Sequence, residues 1–123
     1  VHKETFYSFV LMDVKKKDFS NLKNLFIEGF VTQLKKDQLF SSVIEKKIPS
    51  ISDEPFVLST TDSDRSTIGY INDCIYRLTV YQTSPEYTIE DLYVYIDEYY
   101  NNNYITVKKY QKPIDLMRQS LFI

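Results

Sequence analysis

The run Asp62-Ser63-Asp64-Arg65-Ser66-Thr67-Ile68-Gly69-Tyr70-Ile71-Asn72-Asp73 constrains the fold of this chain more than any other stretch. Asp62, Ser63 and Asp64 carry short side chains whose oxygens satisfy the free N–H groups of a first helical turn, and their acidic charge complements the helix dipole. A helix is therefore predicted from Arg65 to about Gln82. Within it Ile68, Ile71, Ile75 and Leu78 recur at three- and four-residue spacing, which predicts a core-facing side. Arg65, Gly69, Asn72 and Tyr76 fall on a neighbouring line, placing a cation, a gap in the side-chain layer, an amide and a phenol in a row. Together with Asp73 they form the candidate binding surface. Glycine inside a helix costs roughly 1 kcal/mol relative to alanine, so a close approach by another backbone, a ring or a ligand is expected at Gly69. Two readings of the stripe stay open. In one, Gly69 seats a packed element while Asn72 and Asp73 bond to loop backbone; in the other, the stripe recognises a partner.

The chain in order predicts a mixed fold. Thr5 to Val14 is short and rich in aromatic and β-branched residues, which reads as a strand. Lys15-Lys16-Lys17 reads as a solvated loop. Asp18 or Ser20 then caps a helix to about Gln38, with Leu22, Leu25, Phe26, Phe30 and Leu34 as its apolar face. The chain has only two glycines, and both fall in predicted helix interiors, so a close crossing at Gly29 and Gly69 is expected. Leu39 to Ser52 is ambiguous: Phe40, Val43, Ile44 and Ile48 could continue helically, while Pro49 and Ser50 to Pro55 read as a connector. Phe56 to Thr61 is the second predicted strand; without a glycine-rich turn, its passage into the helix is no phosphate loop. Ser84-Pro85 breaks the helix. Thr88 with Asp91 makes a capping box for a helix to about Tyr100, whose apolar line is Leu92, Tyr95, Ile96 and Tyr99 and whose other face carries Glu90, Asp91, Asp97 and Glu98. Asn101 to Asn103 reads as a loop, Tyr104 to Tyr110 as a short strand, and Lys112-Pro113 opens a last helix through Leu116, Met117 and Leu121. The apolar tail Leu121-Phe122-Ile123 is expected to dock. The resulting expectation is an α+β fold, a small sheet packed against three to four helices in a single domain spanning 1–123.

The block Arg65-Ser66-x-Ile68-Gly69-x-Ile71-Asn72-Asp73, preceded by Phe56 to Thr61, resembles an uncharacterised bacterial domain family that reads Arg-Ser-Val-Leu-Gly-Ser-Met-Asn-Asp at this place. Glu4-Thr5-Phe6-Tyr7-Ser8-Phe9-Val10 and Lys17-Asp18-Phe19-Ser20-Asn21-Leu22 extend the resemblance to about Glu4–Tyr81. Tyr70 and Ile71 stand where that family tends to have Ser and Met. The resemblance implies a fold and a motif, and no activity. It also implies further residues ahead of Thr5–Val10, in keeping with a chain that begins at Val1.

Composition narrows the chemistry. With 123 residues, 43% of them hydrophobic, one core is the default. A net charge of -2 supplies no field suited to a phosphate backbone or an anionic membrane, so nucleic acid is disfavoured as a partner and no membrane association is expected. Phe6 to Met12 is too short to span a bilayer and lacks a cleavage pattern. The lone cysteine, Cys74, reads as a small core residue in a cytoplasmic protein. The only histidine, His2, leaves nucleophilic triads without a plausible base and a zinc site with at most one imidazole and one thiolate, and no cofactor is implied. Three functional readings follow. The first is a non-enzymatic protein-interaction or regulatory module, with a protein partner or a second copy bound through Arg65, Gly69, Asn72, Asp73 and Tyr76. The second is a metal-dependent hydrolase or nuclease using Asp62, Asp64 and Asp73. The third is a single-stranded nucleic-acid binder through Tyr104, Lys108, Lys109, Tyr110 and Lys112, where cations interleave with rings.

Overall fold

The computed structural model describes residues 1–11, 13–53, 64–105 and 108–121. Among these residues the fold is all-helical, with one isolated antiparallel bridge between Ile105 and Gln111 and no strand. The expected sheet of an α+β fold is thereby corrected. Two of its three strands fail for visible reasons, and Phe56 to Thr61 lies outside the described residues. The chain divides into two compact units, Phe9–Ser59 and Val1–Ser8 with Thr60–Ile123.

In the first unit a 3-10 turn, Lys16–Asn21, leads into α1, Leu22–Lys36. Asp18 lies inside the 3-10 turn, where its carboxylate accepts from the Lys15 N–H at 2.9 Å, and the N-cap of α1 is Asn21 rather than the expected Asp18 or Ser20. Phe9 lies against Phe26 and Phe30, with ring centroids 5.2 and 6.0 Å away. A methyl group on Gly29 would meet Leu11 Cδ2 at 2.6 Å and the Phe9 ring at 3.0 Å. The close approach expected at Gly29 is therefore present, made by the Phe9–Leu11 segment and not by a second helix. α1 closes on a Schellman motif: Leu39 N–H donates to Leu34 O at 2.8 Å and Gln38 N–H to Lys35 O at 3.1 Å. Gln38 takes the left-handed φ of 59° that glycine usually supplies, and Leu34 and Leu39, the two apolar residues flanking the motif, are both buried. The ambiguous stretch that follows is helical, α2 from Ser42 to Asp53, with Pro49 inside it. Ser50 to Asp53 thus continue the helix where a connector was expected; the rest of that connector is outside the described residues.

The second unit is built on α3, Arg65–Gln82, with Asp64 as its N-cap, the bounds the sequence predicts. Its buried side is rotated from the expected one. Thr67 and Cys74 are buried, and Tyr70, Leu78 and Tyr81 are half-buried on the same side, whereas Ile75 is 56% exposed. The rotation follows from what α3 packs on, which is aromatic: Phe6 stacks on Tyr70 at 4.6 Å, and Tyr70 meets Tyr100 edge-on at 5.6 Å. After Thr83 the chain reaches α4, Ile89–Tyr95, opened by the predicted capping box; Thr88 N–H donates to Asp91 Oδ2 at 2.7 Å and Asp91 N–H to Thr88 Oγ1 at 3.2 Å.

α4 runs on as a π-helical turn, Ile96–Asn101. The wider turn inserts a residue into the helical register, so the buried line passes from Leu92, Tyr95 and Ile96 to Tyr100 and Asn101 and leaves Tyr99 exposed. Asn101, expected in a loop, is 0% exposed. Its side-chain amide pairs with the Ser8 peptide group in both directions: Ser8 N–H donates to Oδ1 at 2.8 Å, and Nδ2 donates to Ser8 O at 2.8 Å. Upstream, Phe6 N–H donates to His2 O at 2.7 Å and His2 N–H to Tyr7 O at 2.8 Å, while Phe6 and Asp13 have φ near 60°. Phe6 to Ser8 of the predicted strand Thr5 to Val14 thus find their hydrogen bonds in a turn and one amide, and the described residues of the segment form no ladder. Of the other expected strand, Tyr104 to Tyr110, the described residues show the Ile105–Gln111 bridge with left-handed Lys109 and Tyr110, and residues 106 and 107 lie outside them. α5, Pro113–Leu121, buries Pro113, Ile114 and Met117 and packs on the π turn. Phe122 and Ile123, whose docking was expected, lie outside the described residues.

Replacing Asn101 by alanine strands a buried N–H and a buried carbonyl of Ser8. Asn101→Ala is expected to lower unfolding free energy by about 3 kcal/mol, two lost hydrogen bonds plus their desolvation, read by urea denaturation. A loss below about 1 kcal/mol would contradict the assignment of that amide as a structural clamp.

Candidate functional site

α3 positions every residue of the candidate surface that the structure describes. Asp64 fixes its start: one carboxylate oxygen accepts from Ser66 N–H at 3.1 Å and Thr67 N–H at 3.3 Å, and the other accepts from Thr67 Oγ1 at 2.9 Å. Lys3 Nζ stands 4.0 Å from the same carboxylate. The Thr67 hydroxyl and N–H hold the carboxyl below its ordinary value, with a smaller pull from Lys3. Asp62 and Ser63 lie outside the described residues.

With 3.6 residues per turn, Arg65, Gly69, Asn72 and Tyr76 fall about half a turn from Thr67 and Cys74. All four are exposed, and Tyr76 is exposed to 70%. They form one outward line, continued by Val80 at 48%. A Cβ on Gly69 would meet no atom of the described residues within 4 Å. The expected close contact at Gly69 is thereby corrected.

Asp73 leaves this line. It pairs with Arg77, Nε to Oδ2 at 3.1 Å, and Arg77 Nη1 donates to the Tyr95 hydroxyl at 3.2 Å. Both residues border a cleft of about 320 Å³ whose other walls include Tyr70, Tyr100, Asn103 and Tyr104. Beneath it Cys74 is a buried free thiol, pushed up to about 11 by burial despite the Tyr100 hydroxyl beside it. A protonated thiol in that position fills space and is a poor nucleophile. Burial likewise raises the Tyr70 and Tyr100 hydroxyls above the ordinary phenol value.

Of the carboxylates proposed for metal chemistry, the two described ones, Asp64 and Asp73, do not converge. Asp64 and Asp73 are nine residues apart, so about 13 Å of helix rise separates them and their side chains leave opposite sides of α3. Among the described residues no three His, Cys, Asp or Glu side chains are grouped to hold a metal ion. The C-terminal basic patch is also partly engaged: Lys108 Nζ lies 4.5 Å from the Phe6 ring centroid and donates to Lys3 O at 3.3 Å, and Lys112 Nζ lies 5.0 Å from the Tyr104 ring. Tyr104, Lys109 and Tyr110 remain exposed.

Sequence reasoning missed Asn101 and the grouping of Tyr81, Tyr87, Tyr95 and Tyr99. The tyrosine-rich composition around Thr88 to Tyr100 was the available signal, but the π turn that redirects it has no motif.

Two expected outcomes follow from the geometry of α3. Gly69→Ala stabilises the protein by roughly 0.5–1 kcal/mol, since a methyl enters open space on a helix; destabilisation in thermal melts would reveal a contact at that position. For Asp64, the folded-state pKa is depressed, so its stabilisation is complete above the ordinary carboxyl value of 3.8 and is lost as pH falls through the lower folded-state value. Urea midpoints of wild type and Asp64→Ala should differ at neutral pH and converge in acid. A difference unchanged throughout the acid range would show that Asp64 does not act as an ionised cap.

Among the described residues no helix is long and apolar enough to cross a membrane. Comparison with curated proteins and with solved structures yields no match. A family model described as a domain of unknown function matches residues 1–116, nearly the whole chain, and on that match the chain belongs to the DUF6933 family.

Proposed function

We propose that this domain is a non-enzymatic protein-interaction module of the bacterial cytoplasm, and that the outward line of α3 is its contact face. One observation carries the reading: a helix packed on one side presents Tyr76 at 70%, Ile75 at 56% and Val80 at 48% exposure on the other. The Tyr76 ring and the two branched chains supply apolar area, while Arg65 and Asn72 supply hydrogen bonds that set register. Gly69 fits the same role, since the gap it leaves lets a partner approach the helix backbone between Arg65 and Tyr76. The partner that suits this face is another protein with an apolar patch and a carboxylate opposite Arg65. Asp73 contributes at one remove, holding Arg77 rather than standing on the line. A buried thiol as the chain's only cysteine is compatible with a reducing compartment.

The test places a photo-crosslinking residue at Thr79, exposed on α3, in host cells. A discrete adduct with another protein is expected, lost when Arg65→Ala and Asn72→Ala are combined in a chain whose circular dichroism is unchanged. In the purified complex Tyr76→Ala should weaken binding by about 2 kcal/mol, roughly thirtyfold, as for an interface anchor. An adduct of two copies of this chain would identify self-association as the use of the same face. Adducts insensitive to all three substitutions would remove the face from consideration.

A further inference from the structure

A second feature of the same unit lies away from the outward line of α3 and stands whether or not that line binds a partner. Where the end of α3 meets α4 and its π turn, four tyrosines come together. Tyr81 touches Tyr87 and Tyr95, with ring centroids 4.5 Å apart in each case, and Tyr95 touches Tyr99 at 4.6 Å. The planes are tilted by 66°, 47° and 28°, so the rings do not close into a single flat stack. They wall a concave pocket of about 170 Å³ whose rim carries Asp91 and Glu98. Tyr87 and Tyr99 are exposed although each has a ring neighbour, while Tyr95 is buried.

The charges of this pocket have one sign. Glu98 makes no ion pair among the described residues, and Asp91 uses only Oδ2 in the cap, accepting from Thr88 N–H and Oγ1 at 2.7 and 3.0 Å. Arg77 reaches the Tyr95 hydroxyl and is balanced by Asp73 at 3.1 Å. Aromatic faces attract weakly hydrated cations through their quadrupole, and carboxylates at the rim reinforce that attraction and repel anions. The volume is below the roughly 300 Å³ at which drug-sized ligands are accommodated, which suits one small head group.

We propose that the pocket formed by Tyr81, Tyr87, Tyr95 and Tyr99, with Asp91 and Glu98 at its rim, binds a methylated ammonium group. A compact hard metal ion would not exploit the rings, and an uncharged ligand would not exploit the carboxylates. Two sources share the chemistry, a free quaternary amine such as choline and a trimethylated lysine side chain on a peptide.

The test is an amide-resolved NMR titration of the full chain with three probes: choline, the acetylated amide of trimethyllysine, and neohexyl alcohol as the uncharged isostere of choline. The cationic probes are expected to shift amides of the segments carrying the four tyrosines, and the alcohol to leave them unmoved at equal concentration. Tyr99→Leu and Glu98→Gln, both at exposed positions, should keep the dispersed spectrum and each weaken binding about tenfold, the size of one lost cation–π or charge contact. Tighter binding of choline identifies a free amine as the source, and tighter binding of the lysine derivative identifies a modified peptide. An equal response to the alcohol, shifts unaffected by both substitutions, or no shift with either cation would overturn the proposal.

Discussion

The unit built on α3 depends on one buried amide. Asn101 and Ser8 are 93 residues apart in sequence and exchange two hydrogen bonds of 2.8 Å, so the Asn101 side chain does for Ser8 what a neighbouring strand would do. Within a site closed to water, each of these bonds is worth more than at the surface, and each unmade partner would be costly. The clamp sets Phe6 and Tyr7 in the core, both 1% exposed, and Phe6 in turn provides the ring on which Tyr70 stacks. The π turn follows from the same requirement. An unbroken α-helix from Ile89 would carry residue 101 to another side, and the extra residue in the turn returns it to the interior.

Tyrosine is the second determinant. A core of Leu and Ile leaves no polar atoms to place, but rings such as Tyr70, Tyr95 and Tyr100 bring hydroxyls inward that need partners. Tyr70 donates to Tyr100 O at 3.3 Å and Tyr95 accepts from Arg77, so polar bonds tie α3 to the helix that follows it. The Tyr100 hydroxyl is buried without a hydrogen-bond partner among the described residues, an unsatisfied group beside the protonated thiol of Cys74. The aromatic interior also explains why the exposed side of α3 is more apolar than its sequence periodicity implies. Of the apparent hydrophobic stripe, Ile75 is displaced to the surface by larger rings, while Ile68, Ile71 and Leu78 stay half-buried.

Local chemistry was legible and pairing was not. Asp64 as a cap, the bounds of α3, the Thr88–Asp91 box and Pro113 at a helix start all rest on contacts within four residues, and such contacts are written in neighbouring letters. The outward line Arg65, Gly69, Asn72 and Tyr76 was readable for the same reason, since spacing alone puts these residues on one side of a helix. The sheet was misread because aromatic and β-branched runs fit any half-buried extended segment. Thr5 to Val14 has that composition, yet its partner is a side chain rather than a strand. Which side of α3 is buried depended on Phe6 and Tyr100, distant residues that helical periodicity cannot weigh. Gly29 and Gly69 look alike in sequence, and only the aromatic segment over one of them distinguishes a packed glycine from an open one.

Among the described residues five other than glycine hold left-handed backbone, Phe6, Asp13, Gln38, Lys109 and Tyr110, while neither glycine does. An L side chain in this region costs roughly 1–2 kcal/mol relative to the right-handed well, so the native state stores conformational energy at turns where glycine would relieve it. Asp13, Gln38, Lys109 and Tyr110 are exposed, so little burial would be forfeited by such an exchange. Phe6 differs, because its strained backbone is the condition for a ring at the centre of the fold. The sequence thus sits below the stability its own topology permits, and the gap is distributed over three surface turns open to engineering without disturbing either candidate binding surface.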